Sequence, residues 1–278
     1  MNVRAAKTRA PLALALFLVA CATPRGEHPT LYATLWMQTS AEYRATAWQA
    51  YAGARETLRR ALADSTWTAA VEQEGSDFAA LPPAIVLDID ETVLDNSPHQ
   101  ARAIQAGVSF DREIWEAWVE EGRARAVPGA PEFLRLADSL GVEVFYVTNR
   151  DHPLEPATRR NLEAAGLPID PRVDTVLTRG EREGWGSDKM SRREAIAERY
   201  RIVLLVGDDF SDFVSARLPR ADRDRLVGRY RDRWGERWIV LPNPTYGSWE
   251  GALYPEDEDL TAEEKARLRL EALEDQRP

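Results

Sequence analysis

Residues 84–92 read Ala84-Ile85-Val86-Leu87-Asp88-Ile89-Asp90-Glu91-Thr92. Four apolar residues in unbroken succession, punctuated upstream by Leu81-Pro82-Pro83, have the pattern of a short strand buried on both faces. The run ends in two carboxylates one residue apart, Asp88 and Asp90. A strand that is apolar along its length and acidic at its exit fits a parallel sheet, where ligands collect beyond the carboxyl ends of the strands.

The flanking sequence agrees. Upstream, Leu31, Leu35, Tyr43, Ala47, Tyr51, Ala54, Leu58 and Leu62 recur at steps of three, four and eight, the stripe of one long amphipathic helix or of two in succession. Downstream the spacing predicts helices near 111–122 and 131–140, a strand at 142–147, a helix at 156–165 and a strand at 173–177. A helix at 190–200, a strand at 202–206 and a helix at 211–217 follow, and a last strand, Trp238-Ile239-Val240-Leu241, stops at Pro242. Strands alternating with helices imply an α/β fold with a parallel sheet covered on both faces. The tail, 256–278, is highly charged and reads as helical from Thr261, with Thr261 and Glu264 spaced as a capping box.

The formal net charge is −10, and the first twenty residues carry Arg4, Lys7 and Arg9 without an acid, so their removal leaves a more acidic chain. That balance argues against general nucleic-acid binding, which relies on Lys and Arg at phosphates. An anionic substrate must instead be attracted locally. The basic residues at 1–9 and the apolar run at 11–20 read as a secretory signal, residues 1–20. Leu18-Val19-Ala20-Cys21 resembles the lipobox of bacterial lipoproteins, and Cys21 is the chain's one cysteine. The expectation is an exported protein with lipid on Cys21, a tether at 21–30 and a bacterial membrane as partner. Ala22 after the cysteine points to the outer membrane in a Gram-negative cell.

Polar residues that no core needs stand at three strand ends: Asp88 to Thr92, Thr148-Asn149-Arg150, and Gly207-Asp208-Asp209 with Asp212 beyond. Carboxylates gathered at one sheet edge repel unless a hard cation neutralises them, and oxygen-only ligation suits Mg²⁺. Of 36 basic residues only Lys7, Lys189 and Lys265 are lysines, so Lys189 stands out within the folded body. A compact ammonium can sit against both a carboxylate and a phosphoryl group, as a planar guanidinium does not. Lys265, in the charged tail, is expected to be inert.

Asp88-x-Asp90-x-Thr92, Thr148, Lys189 and Gly207-Asp208-Asp209-x-x-Asp212 resemble the four ordered motifs of the haloacid-dehalogenase superfamily. More narrowly, 88–98 (DIDETVLDNSP), 146–150 (YVTNR), 241–250 (LPNPTYGSWE) and 38–43 (QTSAEY) are similar to the bacterial lipoprotein class C acid phosphatases, whose members include nucleotidases. Two departures are Asp209, where Asn is expected and the extra charge falls beside the metal, and His99, where an aromatic residue is usual. The resemblance implies a three-layer, Rossmann-like α/β sandwich at 31–255, with N-terminal helices and a small helical cap insert at about 97–130. It implies a phosphomonoester substrate, with Asp88 as nucleophile and Asp90 as general acid and base. Mg²⁺ would be held by Asp88, the Asp90 backbone carbonyl and Asp208. Thr148 and Asn149 would donate to the phosphoryl group, and Lys189 would stabilise its charge.

Weaker candidates for substrate contact are Tyr246 in the loop after the last strand, Trp115, and Arg150, one arginine among many. Trp115 and Trp118 read first as core anchors. The same motifs also suit a phosphotransferase or a narrow 5′-nucleotidase. A reading of another class, an envelope binding or adhesion lipoprotein with a vestigial site, is opposed by the intact Asp88, Asp90, Lys189 and Asp208.

Overall fold

The computed structural model describes residues 28–215, 218–255 and 259–274. The signal segment, Cys21 and most of the tether therefore lie outside the described residues. No helix among the described residues is long and apolar enough to cross a membrane.

The chain runs α1 (Leu31–Thr39), α2 (Ala41–Ala63), β1 (Pro83–Leu87), β2 (Leu94–Asp95), α3 (Ser97–Ala106), α4 (Arg112–Glu121), β3 (Arg125–Ala126), α5 (Ala130–Ser139) and β4 (Glu143–Asp151). Then come α6 (Glu155–Ala164), β5 (Val176–Arg179), α7 (Met190–Ala197), β6 (Arg201–Gly207), α8 (Arg220–Arg229), β7 (Trp238–Val240), α9 (Ser248–Gly251) and α10 (Ala262–Glu271). Five strands form one sheet in the order β5-β4-β1-β6-β7, and every pairing in it is parallel. The strand read first from sequence lies at the centre, and the exits of β1, β4 and β6 stand side by side.

Alternate side chains of β1 feed two cores. Ile85 and Leu87 join Val144, Tyr146, Leu204 and Val206 under α2 and α5, with Tyr51, Leu58, Phe133 and Leu134. Ala84 and Val86 face the other way, with Phe145, Val147, Leu205, Phe213 and Trp238. These two apolar faces make the three-layer sandwich expected from the sequence. A register shift pairs Ala84 with Ile202 but Ile85 with Leu204, a bulge that sends both Val203 and Leu204 into the first core.

The upstream stripe divides at Ser40, whose hydroxyl accepts from the Tyr43 amide and caps α2. Tyr43, Ala47, Tyr51, Ala54 and Leu58 bury as expected, whereas α1 buries Thr34 and Met37 and leaves Leu35 exposed. α2 also reaches the site: Tyr51 Oη donates to the Thr92 carbonyl at 2.6 Å.

Several elements differ from expectation. The strand expected at 173–177 is Val176–Arg179, because 170–174 is spent on a turn into the sheet. The helix expected at 211–217 is a single 3-10 turn, Phe210–Asp212, closed by Asp209 as its N-cap. The helix in that region is α8, which buries no side chain and so shows no apolar period to read. In the tail, α10 has the expected capping box of Thr261 and Glu264.

Candidate active site

β1 delivers Asp88, β6 delivers Asp208, and the 3-10 turn after β6 brings Asp212 back over the strand. Gly207 makes that return possible, since a Cβ there would collide with the Asp212 carboxylate. Carboxylate oxygens of Asp88, Asp208 and Asp212 lie within 4.8 Å of one another. Lys189, the residue before α7, points its ammonium between two of them, 2.5 Å from Asp88 Oδ1 and 2.6 Å from Asp212 Oδ1. Burial alone would lower the lysine's pKa, but Asp212 and Asp88 outweigh it and hold it above the ordinary value. Lys189 is a fixed cation.

One cation does not satisfy three carboxylates. Burial, opposed by Lys189 and reinforced by Asp212 and Asp90, pushes the Asp88 carboxyl up to about 7. Asp208 is raised by burial and by Asp88, Asp212 and Glu91, and Asp212 is raised by burial despite Lys189. Asp208 accepts from Thr92 Oγ1 at 2.9 Å and from Asn243 Nδ2 at 2.8 Å, hydrogen bonds that fix its direction. An all-oxygen, partly enclosed set of excess negative charge fits a hard divalent cation. Asp212 is already taken by Lys189 and by the Asp209 amide, at 2.6 and 3.0 Å, so it anchors the lysine more than it offers a ligand.

Asp90 stands apart from this cluster. Arg150, at the end of β4, lays its guanidinium along the Asp90 carboxylate, and Asn96 Nδ2 donates to Asp90 Oδ1 at 2.8 Å. Arg150, a weaker candidate for substrate contact, is 2% exposed, and its charge is committed to Asp90. Trp118 is a core anchor as expected, with Nε1 donating to Asn96 Oδ1 at 2.8 Å. Trp115 lines the cavity, edge-on to His99 at 5.0 Å and beneath Arg150 at 5.4 Å.

Thr148 is fully buried, and its hydroxyl accepts from the Arg150 amide at 3.1 Å. Asn149 is held at both ends: Nδ2 donates to the Ser187 carbonyl at 3.0 Å and Oδ1 accepts from Arg192 at 2.8 Å. Arg192, buried and also bonded to the Thr148 carbonyl at 2.5 Å, is a support the sequence did not reveal. A second is Glu91, fully buried and the only non-glycine among the described residues at positive φ, 57°. It accepts from the Asn96 amide at 2.8 Å and from the Tyr246 hydroxyl. Burial, with Asp90 adding to it, pushes Glu91 up to about 8. Tyr246 thus lines the cavity with its hydroxyl tied down.

Asp209, the departure in the last motif, is spent on the loop that carries Tyr246. It accepts from Ser211 N at 2.8 Å, Ser248 Oγ at 2.5 Å and Ser248 N at 2.6 Å. Burial would raise its pKa, but those hydrogen bonds overcome burial and lower it. Gly247 passes so close that a Cβ would lie 2.8 Å from Asp209 Oδ2, and its φ of +150° suits only glycine.

The family model described as HAD superfamily, subfamily IIIB (Acid phosphatase), matches residues 21–249. The chain belongs to this family. The class C acid phosphatase from Bacillus anthracis is similar in structure, 36% identical with a TM-score of 0.76, covering 88% of this chain and 96% of that one. The Bacillus anthracis enzyme with tungstate bound matches at 35% identity and the same TM-score, 0.76. Acid phosphatase 1 of Solanum lycopersicum is 29% identical over 164 residues, and the stem 28 kDa glycoprotein of Glycine max is 26% identical over 171. The alignments span 57% and 58% of those two curated relatives' own lengths. Acid phosphatase is the enzyme class of the family, and Asp88, Asp208 and Asp212 form an acidic cluster that could hold a metal ion.

Proposed function

We propose that this protein hydrolyses phosphomonoesters outside the cytoplasm, through an aspartyl-phosphate on Asp88. The observation that carries this reading is the ammonium of Lys189 wedged between Asp88 and Asp212, beside the spare negative charge of Asp208. That arrangement gives a nucleophilic carboxylate, a fixed cation for the phosphoryl oxygens, and an oxygen-only pocket that Mg²⁺ fits. Mg²⁺ held by Asp88 and Asp208 would screen the approach of an anionic phosphate to an anionic nucleophile.

The chain's own groups supply the remaining steps. Asp88 Oδ attacks phosphorus and the bond to the leaving oxygen breaks, while Asp90 gives that oxygen a proton. Asp90 then takes a proton from water, which attacks the aspartyl-phosphate and frees both Asp88 and inorganic phosphate. The Thr148 hydroxyl already accepts from the Arg150 amide, so its own proton is available to a phosphoryl oxygen. Asn149 spends one of its two amide protons on Ser187 and retains the other. A pure binding protein would gain nothing from a lysine and several carboxylates held out of bulk water.

The cavity that holds the site measures about 1440 Å³, larger than a phosphate needs and large enough for a nucleoside leaving group as well. Phosphate release from a panel of alkyl, aryl and nucleoside monophosphates, with and without EDTA, tests the reading. Turnover abolished by EDTA and restored by Mg²⁺ is expected, and turnover indifferent to both would overturn the metal-assisted mechanism. Export and lipid attachment at Cys21 rest on the signal and lipobox pattern. Cys21→Ser should move the protein out of the membrane fraction, and unchanged partitioning would sink the anchor.

A further inference from the structure

The cavity that begins at Asp88 and Lys189 does not end at the family's part of the chain. Its far wall is α10, beyond residue 249 where the family match stops. Ala262, Lys265, Ala266 and Arg269 line it. These positions follow the i, i+3, i+4, i+7 spacing, so they are one face of the helix. Two of the four are alanines, which leave room, and two are cations. Leu270 and Leu273 are exposed, and α10 buries no side chain.

The helix is held against the body by polar contacts. Arg269 donates through Nε and Nη2 to Glu250 Oε1, at 3.0 and 2.5 Å, and through Nε to Tyr254 Oη at 2.8 Å. Arg220 reaches Glu274 at 3.2 Å from the other end. Arg269 is thereby neutralised. Lys265, one turn earlier on the same face, has no carboxylate partner among the described residues and stands 5.8 Å from the Tyr254 ring. The other lysine and the arginines lining the cavity are all paired: Lys189 with Asp88 and Asp212, Arg150 with Asp90, Arg112 and Arg179 with Asp151, and Arg269 with Glu250. Both lysines among the described residues therefore face one cavity, and Lys265 is the one that no described carboxylate pairs. The sequence, which placed Lys265 in a solvated tail, did not show this.

We propose that the end of the cavity at Lys265 and Tyr254 is a subsite for a second anionic group, carried on the leaving portion of the phosphomonoester. An ammonium without a carboxylate partner among the described residues, in a chain of net charge −10, is a local attractor for a carboxylate or a second phosphate. Tyr254 beside it gives an apolar or aromatic spacer a surface to lie on. The phosphate end of such a substrate occupies Lys189 and Asp88, so the inference rests on the phosphatase reading.

The test uses the full chain and pairs of alkyl phosphates, one plain and one bearing an ω-carboxylate, over a series of chain lengths. At low salt the wild-type protein should prefer the carboxylated member at the length that spans the cavity, read as a ratio of kcat/KM values. Lys265→Ala should lower that ratio about fivefold, the scale of one half-exposed ion pair. Lys265→Arg should retain it, and added salt should erase it. A ratio that is the same in wild type and Lys265→Ala at every length overturns the subsite while leaving the phosphatase intact. Failure of the wild-type protein to turn over either member overturns the phosphatase reading, and this inference with it.

Discussion

Arg150 grips Asp90: Nη2 lies 2.7 Å from Oδ1, and Nε lies 3.1 and 3.3 Å from the two carboxylate oxygens. The guanidinium is itself fixed, with Nη1 donating to Thr158 Oγ1 at 3.1 Å. Asn96 Nδ2 donates to the same Oδ1 at 2.8 Å, so two residues hold Asp90 in place. A general acid must meet the leaving oxygen at the moment the bond breaks, and a carboxylate held by two partners is already aimed.

Arg150→Lys keeps the charge and loses the fork, so Asp90 should wander. The expected result is a fall in kcat of about 10- to 100-fold for alkyl phosphates, part of what a general acid contributes. Aryl phosphates, whose leaving groups need little protonation, should lose less. Lysine is the better substitution because truncation would leave Asp90 partly buried and unpaired, at a cost of roughly 3–5 kcal/mol. Equal losses for both substrate classes would mean that Arg150 supports only the fold.

Arg150 also marks the limit of what the sequence discloses. The strand exits at Asp88, Thr148 and Asp208 were legible because an apolar run that ends in polar residues has few other uses. Lys189 was legible through the rarity of lysine. Arg150 was legible as a strand-end residue but not as the partner of Asp90, and nothing local separates Arg192 or Arg193 from the chain's other arginines, since what distinguishes them is burial against partners distant in sequence. Glu91 stood inside a recognised motif, but its bond to Tyr246 crosses 155 residues. α8 escaped because a helix that buries nothing carries no period, and the turn at Phe210–Asp212 because its cap, Asp209, looked like a metal-side charge.

The crowded carboxylates set the pH behaviour of the metal-free protein. Asp88 rises from 3.8 to about 7 and Glu91 from 4.5 to about 8, in both cases chiefly through burial. Each binds its proton more tightly folded than unfolded. Their contribution to stability is therefore complete below the ordinary carboxylate range and is lost as pH rises through about 7 to 8. In EDTA, Tm should be higher at about pH 5 than at about pH 8, and added Mg²⁺ should raise Tm more at the higher pH. A metal-free Tm that climbs steadily across that window contradicts the buried, mutually repelling cluster.

Asp209 gives an opposite sign. Its hydrogen bonds to Ser211 and Ser248 depress its pKa, so its contribution is present at neutral pH and lost on acidification below the ordinary carboxylate range. Asp209→Asn places an amide N–H₂ where one carboxylate oxygen accepts from Ser211 or Ser248. The variant should lose about 1–2 kcal/mol of stability at neutral pH. The loop carrying Tyr246 should loosen, raising KM more than it lowers kcat. Should the substitution leave stability untouched and weaken Mg²⁺ binding instead, Asp209 belongs to the metal after all.

Lys189→Arg is the sharpest probe of the centre. The ammonium sits within 2.5 Å of Asp88 and 2.6 Å of Asp212 and is 5% exposed, so the space around it is small. A guanidinium is broader and planar, and its fork would engage both oxygens of one carboxylate. Either Asp88 would be drawn out of line with phosphorus or Asp212 would lose its partner. An ammonium can turn its three protons from Asp88 in the free enzyme to the phosphoryl oxygens as charge builds there. The variant should therefore fold with its charge intact and lose about 10²-fold or more in kcat, the scale of removing one donor to a developing oxyanion. KM should change far less, because the interaction that is lost strengthens only in the transition state. Near-normal kcat in Lys189→Arg would show that any cation suffices at this point, and the role of a shape-matched ammonium between Asp88 and Asp212 would have to be abandoned.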